Sequence, residues 1–113
     1  MTQPGNLQAF KAEFFKALAH PIRIRVLEIL VTGARSVQDL QDTLGLDQPI
    51  VSQQLAVLRA KNIVTTTKIG TSVRYAVRDP LVRDLLDVAR GIFNNQLTGS
   101  QSMLRELRRE RSR

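Results

Sequence analysis

A chain of 113 residues has room for one hydrophobic core but not for a separate catalytic module. Its 42% hydrophobic and 24% charged residues are the composition of a folded globular protein, which excludes wholesale disorder. Seventeen Lys and Arg against ten Asp and Glu leave a formal charge of +7, favouring a polyanionic partner, nucleic acid ahead of a membrane surface; the absence of cysteine excludes disulfides, thiolate catalysis and thiolate metal sites together.

The amino end, Met1 to Gln8, has no basic region followed by an apolar run. The most apolar stretch, Ile22 to Val31, is interrupted by Arg23, Arg25 and Glu28, so the expectation is a cytoplasmic protein without a membrane span. Leu7, Phe10, Phe14 and Leu18 recur at helical spacing and predict a first helix. His20-Pro21 interrupts it, because proline disfavours helical geometry in the residue before it yet suits the first turn of a new helix. Ile22 to Val31 reads as that second helix, with Ile22, Val26, Ile29 and Leu30 inward and Gly33 at its end.

Ser36 is an N-cap residue, and Asp39 three positions on places a negative charge where the helix dipole favours it; the third helix runs to about Leu44 and stops at Gly45. Asp47 caps a fourth helix whose first turn accepts Pro49, with Val51, Leu55 and Leu58 as its buried stripe. Two short helices joined by a tight glycine turn form a helix-turn-helix pattern. After Asn62 the period changes to alternation, in Ile63 to Ile69 and again in Val73, Tyr75 and Val77, and Gly70-Thr71 between the runs makes a β-hairpin. Asp79-Pro80 then opens a long helix through Leu97 that Gly99-Ser100 breaks, leaving Met103 to Arg113 as a short basic helix or a frayed tail. The expected fold is mainly α with a β-hairpin wing, a winged helix-turn-helix in α-α-α-α-β-β-α order. Residues 1–98 would form the winged helix-turn-helix domain and 99–113 a basic C-terminal helix or tail.

The positive charge is not spread evenly: residues 47–78 hold Arg59, Lys61, Lys68, Arg74 and Arg78 against one acid, and the last thirteen residues hold five arginines against two. With Val51, Leu55 and Leu58 turned to the core, Gln48, Ser52, Ala56 and Arg59 share another face, with Gln53 beside them. These are groove-reading types: glutamine pairs with an adenine edge, serine with base or phosphate, arginine with guanine or phosphate, and a small Ala56 permits close approach. In the hairpin, Val73, Tyr75 and Val77 are expected inward and Lys68, Arg74 and Arg78 outward toward phosphates. No nucleophile with a base, phosphate-cradling loop or carboxylate pair stands out, and Asp84 and Asp87 read as a solvent face. The chain therefore reads as a binder rather than an enzyme, with duplex DNA as partner and RNA or protein as the alternative.

Three segments resemble the ArsR/SmtB family of bacterial repressors. Phe15-Lys16-Ala17-Leu18-Ala19-His20-Pro21-Ile22-Arg23 is similar to the family's LADPTR segment, with His20 where aspartate is common. Gln48 through Arg59 is similar to the recognition helix QPTVSQHLKVLR, with Gln54 in place of the usual histidine, and Lys68 through Tyr75 resembles the wing. The resemblance implies a DNA-binding transcriptional repressor with Gln48, Ser52, Gln53, Gln54, Arg59, Lys68 and Arg74 at the DNA. The broad apolar faces of the first and last long helices mark an interface, and the resemblance implies a C2 homodimer joined through Leu7, Phe10, Phe14, Leu85, Val88 and Ile92, its recognition helices one DNA turn apart, roughly 34–36 Å. Many members sense metals through cysteines on the third helix or Asp and His on the last. Here Ser36 to Leu40 has no thiol, residues 80–97 have no histidine, and His20 reads as a local hydrogen-bonding residue, so no metal and no cofactor is expected; the effector is open.

Overall fold

The computed structural model describes residues 5–97 and 100–112. Its elements run α1 (Asn6–Leu18), α2 (Pro21–Leu30), β1 (Arg35–Ser36), α3 (Val37–Leu44), α4 (Gln48–Ala60), β2 (Val64–Ile69), β3 (Ser72–Val77), α5 (Leu81–Gln96) and α6 (Gln101–Ser112). Two compact units result, one up to Pro80 and one from Leu81 onward. Gly99, expected to break the long helix, lies outside the described residues, as do Met1–Pro4, Thr98 and Arg113.

Local chemistry explains the element ends. His20 adopts extended backbone, and its Nδ1 accepts a hydrogen bond from the Ile22 backbone N–H at 3.1 Å, capping α2 with Pro21 at the first helical position. Ser36 and Asp39 form a reciprocal box at the start of α3: Asp39 N–H donates to Ser36 Oγ (3.1 Å) and Ser36 N–H to Asp39 Oδ2 (3.3 Å). Gly45 ends α3 at φ 66°, its N–H donating to the Gln41 carbonyl; a left-handed residue here turns the chain toward α4 at no steric cost. Asp47 precedes α4 as expected but makes no side-chain cap bond. Asn62, also left-handed at φ 59°, turns the chain from α4 into β2, a conformation asparagine tolerates better than most residues.

The core of the first unit gathers Val26, Leu27 and Leu30 of α2, Leu40 of α3, the stripe Val51, Leu55 and Leu58 of α4, and Ile63 and Val64 at the entry to β2. Helix α4 touches α1, α2, α3 and β2. Two features depart from expectation. A short strand β1, too short to show alternation, pairs antiparallel with β3, setting Arg35 opposite Tyr75 and Ser36 opposite Arg74 in a sheet ordered β1-β3-β2. It ties the N-cap of α3 directly to the wing. Val73, expected inward, is 41% exposed, next to the hairpin turn at Gly70-Thr71.

In the second unit α5 meets α6: Arg90 Nη1 donates to the Leu107 carbonyl at 2.8 Å and Nη2 lies 3.8 Å from Glu110. Residues 101–112 are thus a helix rather than a frayed tail. Among the described residues no helix is long and apolar enough to cross a membrane.

On the surface of the first unit Glu13 pairs with Lys61 (3.3 Å) and Lys16 (3.4 Å). The hydrogen bond from Lys61, then the charge of Lys16, holds its carboxyl below the ordinary value of 4.5. A lowered carboxyl contributes stability above that value and loses it as pH falls below, but the group is exposed and water screens the pair.

Leu40 is fully buried and Ile69 is 59% exposed. Leu40→Ala is expected to lower the unfolding free energy by about 2–5 kcal/mol and Ser36→Ala by about 1 kcal/mol, whereas Ile69→Ala leaves the urea midpoint nearly unchanged. Equal midpoints for the Leu40 and Ile69 variants would contradict this core.

Candidate nucleic-acid interface

A helix that grips its own core along one stripe has its remaining faces free to meet something else. On α4, Val51, Leu55 and Leu58 are buried, while Gln48, Gln53, Ala56 and Arg59 are exposed and Ser52 is half-exposed. Gln48 Nε2 donates to Ser52 Oγ at 2.6 Å, one helical turn on, so the two polar groups nearest the start of the helix are already oriented together. A groove of about 450 Å3 runs between α4 and β3, lined by Ser52, Ala56, Arg59 and Tyr75 among others. The half-buried Tyr75 thus forms part of the wall between recognition helix and wing.

The position of Gln54 requires a correction. It was expected beside Gln53 at the DNA, but it is only 8% exposed, and its Oε1 accepts a hydrogen bond from Arg23 Nη1 at 2.9 Å. Position 54 adjoins Leu55 and sits three residues after Val51, which places it on the inward side of the helix; a polar residue there needs an internal partner, and α2 supplies it.

The wing carries its cations differently from expectation. The register pairs Lys68 with Val73 and Thr67 with Arg74. Directly opposed residues share a face and successive residues alternate, so Lys68 lies on the Val73 and Tyr75 face and Arg74 on the other. Both are exposed, as is Arg78, and the wing therefore presents positive charge on both sides. Gly70 forms its tip at φ 62°, as a two-residue hairpin turn requires.

Sequence reasoning missed one exposed group. Ile50, 38% exposed, sits in the first turn of α4, outside the Val51–Leu55–Leu58 stripe, and that offset is the signal that could have marked it. An apolar side chain at the tip of such a helix suits contact with a thymine methyl group.

The six residues expected at a dimer interface are distributed over both units. Leu7 and Phe10 on α1 are exposed, Phe14 is half-buried and packs edge-on against Phe15 (5.5 Å), Val88 and Ile92 on α5 are exposed, and Leu85 is half-buried.

Comparison with known proteins agrees with this architecture. Residues 20–66, covering α2 through the start of the hairpin, match the family described as bacterial regulatory protein, arsR family. The HTH-type transcriptional regulator Rv0081 of Mycobacterium tuberculosis H37Rv is 43% identical over 103 residues, 90% of each chain. The crystal structure of that protein superimposes with a TM-score of 0.78 over 85% of this chain and 97% of its own. The biofilm growth-associated repressor of Xylella fastidiosa Temecula1 is 35% identical over 85 residues, 75% of each chain. With its helix-turn-helix inside the matched segment and relatives alike along most of its length, the chain belongs to the ArsR family of bacterial winged helix-turn-helix transcriptional regulators, DNA-binding proteins rather than enzymes.

Proposed function

We propose that this regulator is a homodimeric repressor that occupies an inverted-repeat operator, reading base edges with α4 and holding phosphates with the wing. The observation that carries the reading is the split of α4 into a buried apolar stripe and an exposed face bearing Gln48, Ser52, Gln53 and Arg59, beside a hairpin with exposed Lys68 and Arg74. Acting on chromosomal DNA, such a protein works in the cytoplasm. Residues 1–98 are proposed to carry DNA binding and dimerisation, with 99–113 as a basic extension.

Exposed apolar area supports the dimer. On α1, Phe10 is 74% exposed, and on α5, Val88 is 64% and Ile92 52% exposed; large apolar side chains left in solvent on each helix mark an interface. The donor chemistry does not fit a metal sensor: there is no cysteine, the Nδ1 of the sole imidazole already caps α2, and among the described residues no three His, Asp or Glu side chains are gathered.

Light scattering at micromolar concentration is expected to give twice the chain mass of 12.7 kDa. Ile92→Glu should shift the protein toward monomer and weaken operator binding in parallel, since a monomer holds one half-site. A wild-type monomer with full DNA affinity would refute the dimer.

Helix and wing are expected to fail differently. Gln53→Ala should cost about 1–3 kcal/mol on the preferred duplex and little on random DNA. Arg74→Ala should weaken both duplexes alike and reduce the slope of log K against log salt by roughly one per lost phosphate contact, up to twice that in a dimer. Specificity lost with Arg74→Ala but kept with Gln53→Ala would make the wing the reader, and a preference for structured RNA over any duplex in gel shift would overturn the DNA assignment.

A further inference from the structure

The junction between α1 and α2 holds a polar contact that the DNA-facing surface does not use. In a continuous helix the Ala17 carbonyl would accept from the N–H four residues on, but that residue is Pro21, which has none. Arg23 takes its place: Nε donates to the Ala17 carbonyl at 2.7 Å, and Nη2 reaches the Lys16 carbonyl at 3.4 Å. A cation there also meets the negative end of the α1 dipole. The same guanidinium then crosses to α4, where Nη1 donates to Gln54 Oε1 at 2.9 Å. One planar, rigid fork thus joins the carboxyl end of α1 to the inward side of the recognition helix, a geometry lysine cannot reproduce.

We infer that Arg23 is a positioning residue for operator recognition: by clamping Ala17 of α1 and Gln54 of α4 it fixes the recognition helix relative to α1 and so sets the spacing at which the dimer accepts its two half-sites. The inference rests on the dimeric operator-binding reading. The apolar contacts of α4 set which face turns inward, but, being non-directional, they constrain small rotations and slides less than a directional hydrogen bond does. Gln54 lies immediately beside Gln53, so a small rotation about this point displaces the base-reading side chain. One base pair inserted between half-sites moves them apart by about 3.4 Å, which a rigidly held pair of helices does not absorb.

The test uses the full chain and a duplex selected by the wild-type protein from a randomised library, together with versions of that duplex with one base pair added or removed between half-sites. Arg23→Met and Gln54→Leu should each lower the urea midpoint, the first by stranding the buried Gln54 amide and the second by removing the acceptor of the half-buried Arg23. The double variant Arg23→Met with Gln54→Leu should regain much of that loss, since both polar groups are replaced by apolar ones of similar size. Its ratio of selected to scrambled duplex affinity should nonetheless fall about tenfold, the scale of one mismatched base pair, and its preference for the native spacing should flatten. Arg23→Lys keeps the charge at the end of α1 without the fork and should fold, with the same loosened spacing. A folded double variant or Arg23→Lys that discriminates sequence and spacing as the wild type does would overturn the positioning role. A wild-type protein that selects no duplex would instead refute the operator-binding reading beneath it.

Discussion

The first unit depends on how α4 is held. Val51, Leu55 and Leu58 enter the core among Leu27, Leu30 and Leu40, and because a helix repeats every 3.6 residues, burying those three positions turns Gln53 to the opposite side and leaves Arg59 on the flank. The polar face is thus a geometric consequence of the apolar one. In a chain this small the core cannot be enlarged to compensate for a poorly fitted element, which explains why the turn before α4 is set by Gly45 and the helix before that by a reciprocal cap.

The periodic features of the fold were legible in the sequence: the interrupted helix at His20-Pro21, the cap at Ser36, the stop at Gly45, the stripe on α4, and the change to alternation after Asn62. Each is a local choice with few competing outcomes. Less was legible where partners lie far apart in the chain. β1 is two residues long and exists only because β3 offers it a ladder. Lys68 and Arg74 were grouped on one side because alternation was counted within each strand, whereas the face of one strand relative to the other is set by the register across the turn.

Gln54 is the most instructive departure at the candidate site. By residue type it resembles Gln48 and Gln53, and polarity alone places it outside. Its helical position places it inside, and position prevails because α2 supplies a donor 31 residues earlier in the chain. A buried amide without that donor would cost about 1–3 kcal/mol, so the identities of residues 23 and 54 are physically coupled. The junction proline contributes as well: by withdrawing an N–H from Ala17, Pro21 creates the acceptor on which Arg23 anchors.

Electrostatics and packing assign different tasks to different surfaces. The exposed cations of the wing act over a Debye length of about 8–10 Å, so the phosphate contacts proposed for them need no exact placement. Base edges demand placement within a fraction of an ångström, and the residues proposed to read them stand on a helix embedded in the core through Val51, Leu55 and Leu58. The exposed apolar faces of α1 and α5 are the surfaces proposed to pair, and a dimer that forms only from folded chains raises apparent stability with concentration. In the proposed dimer, folding, pairing and operator occupancy are linked through the same helices.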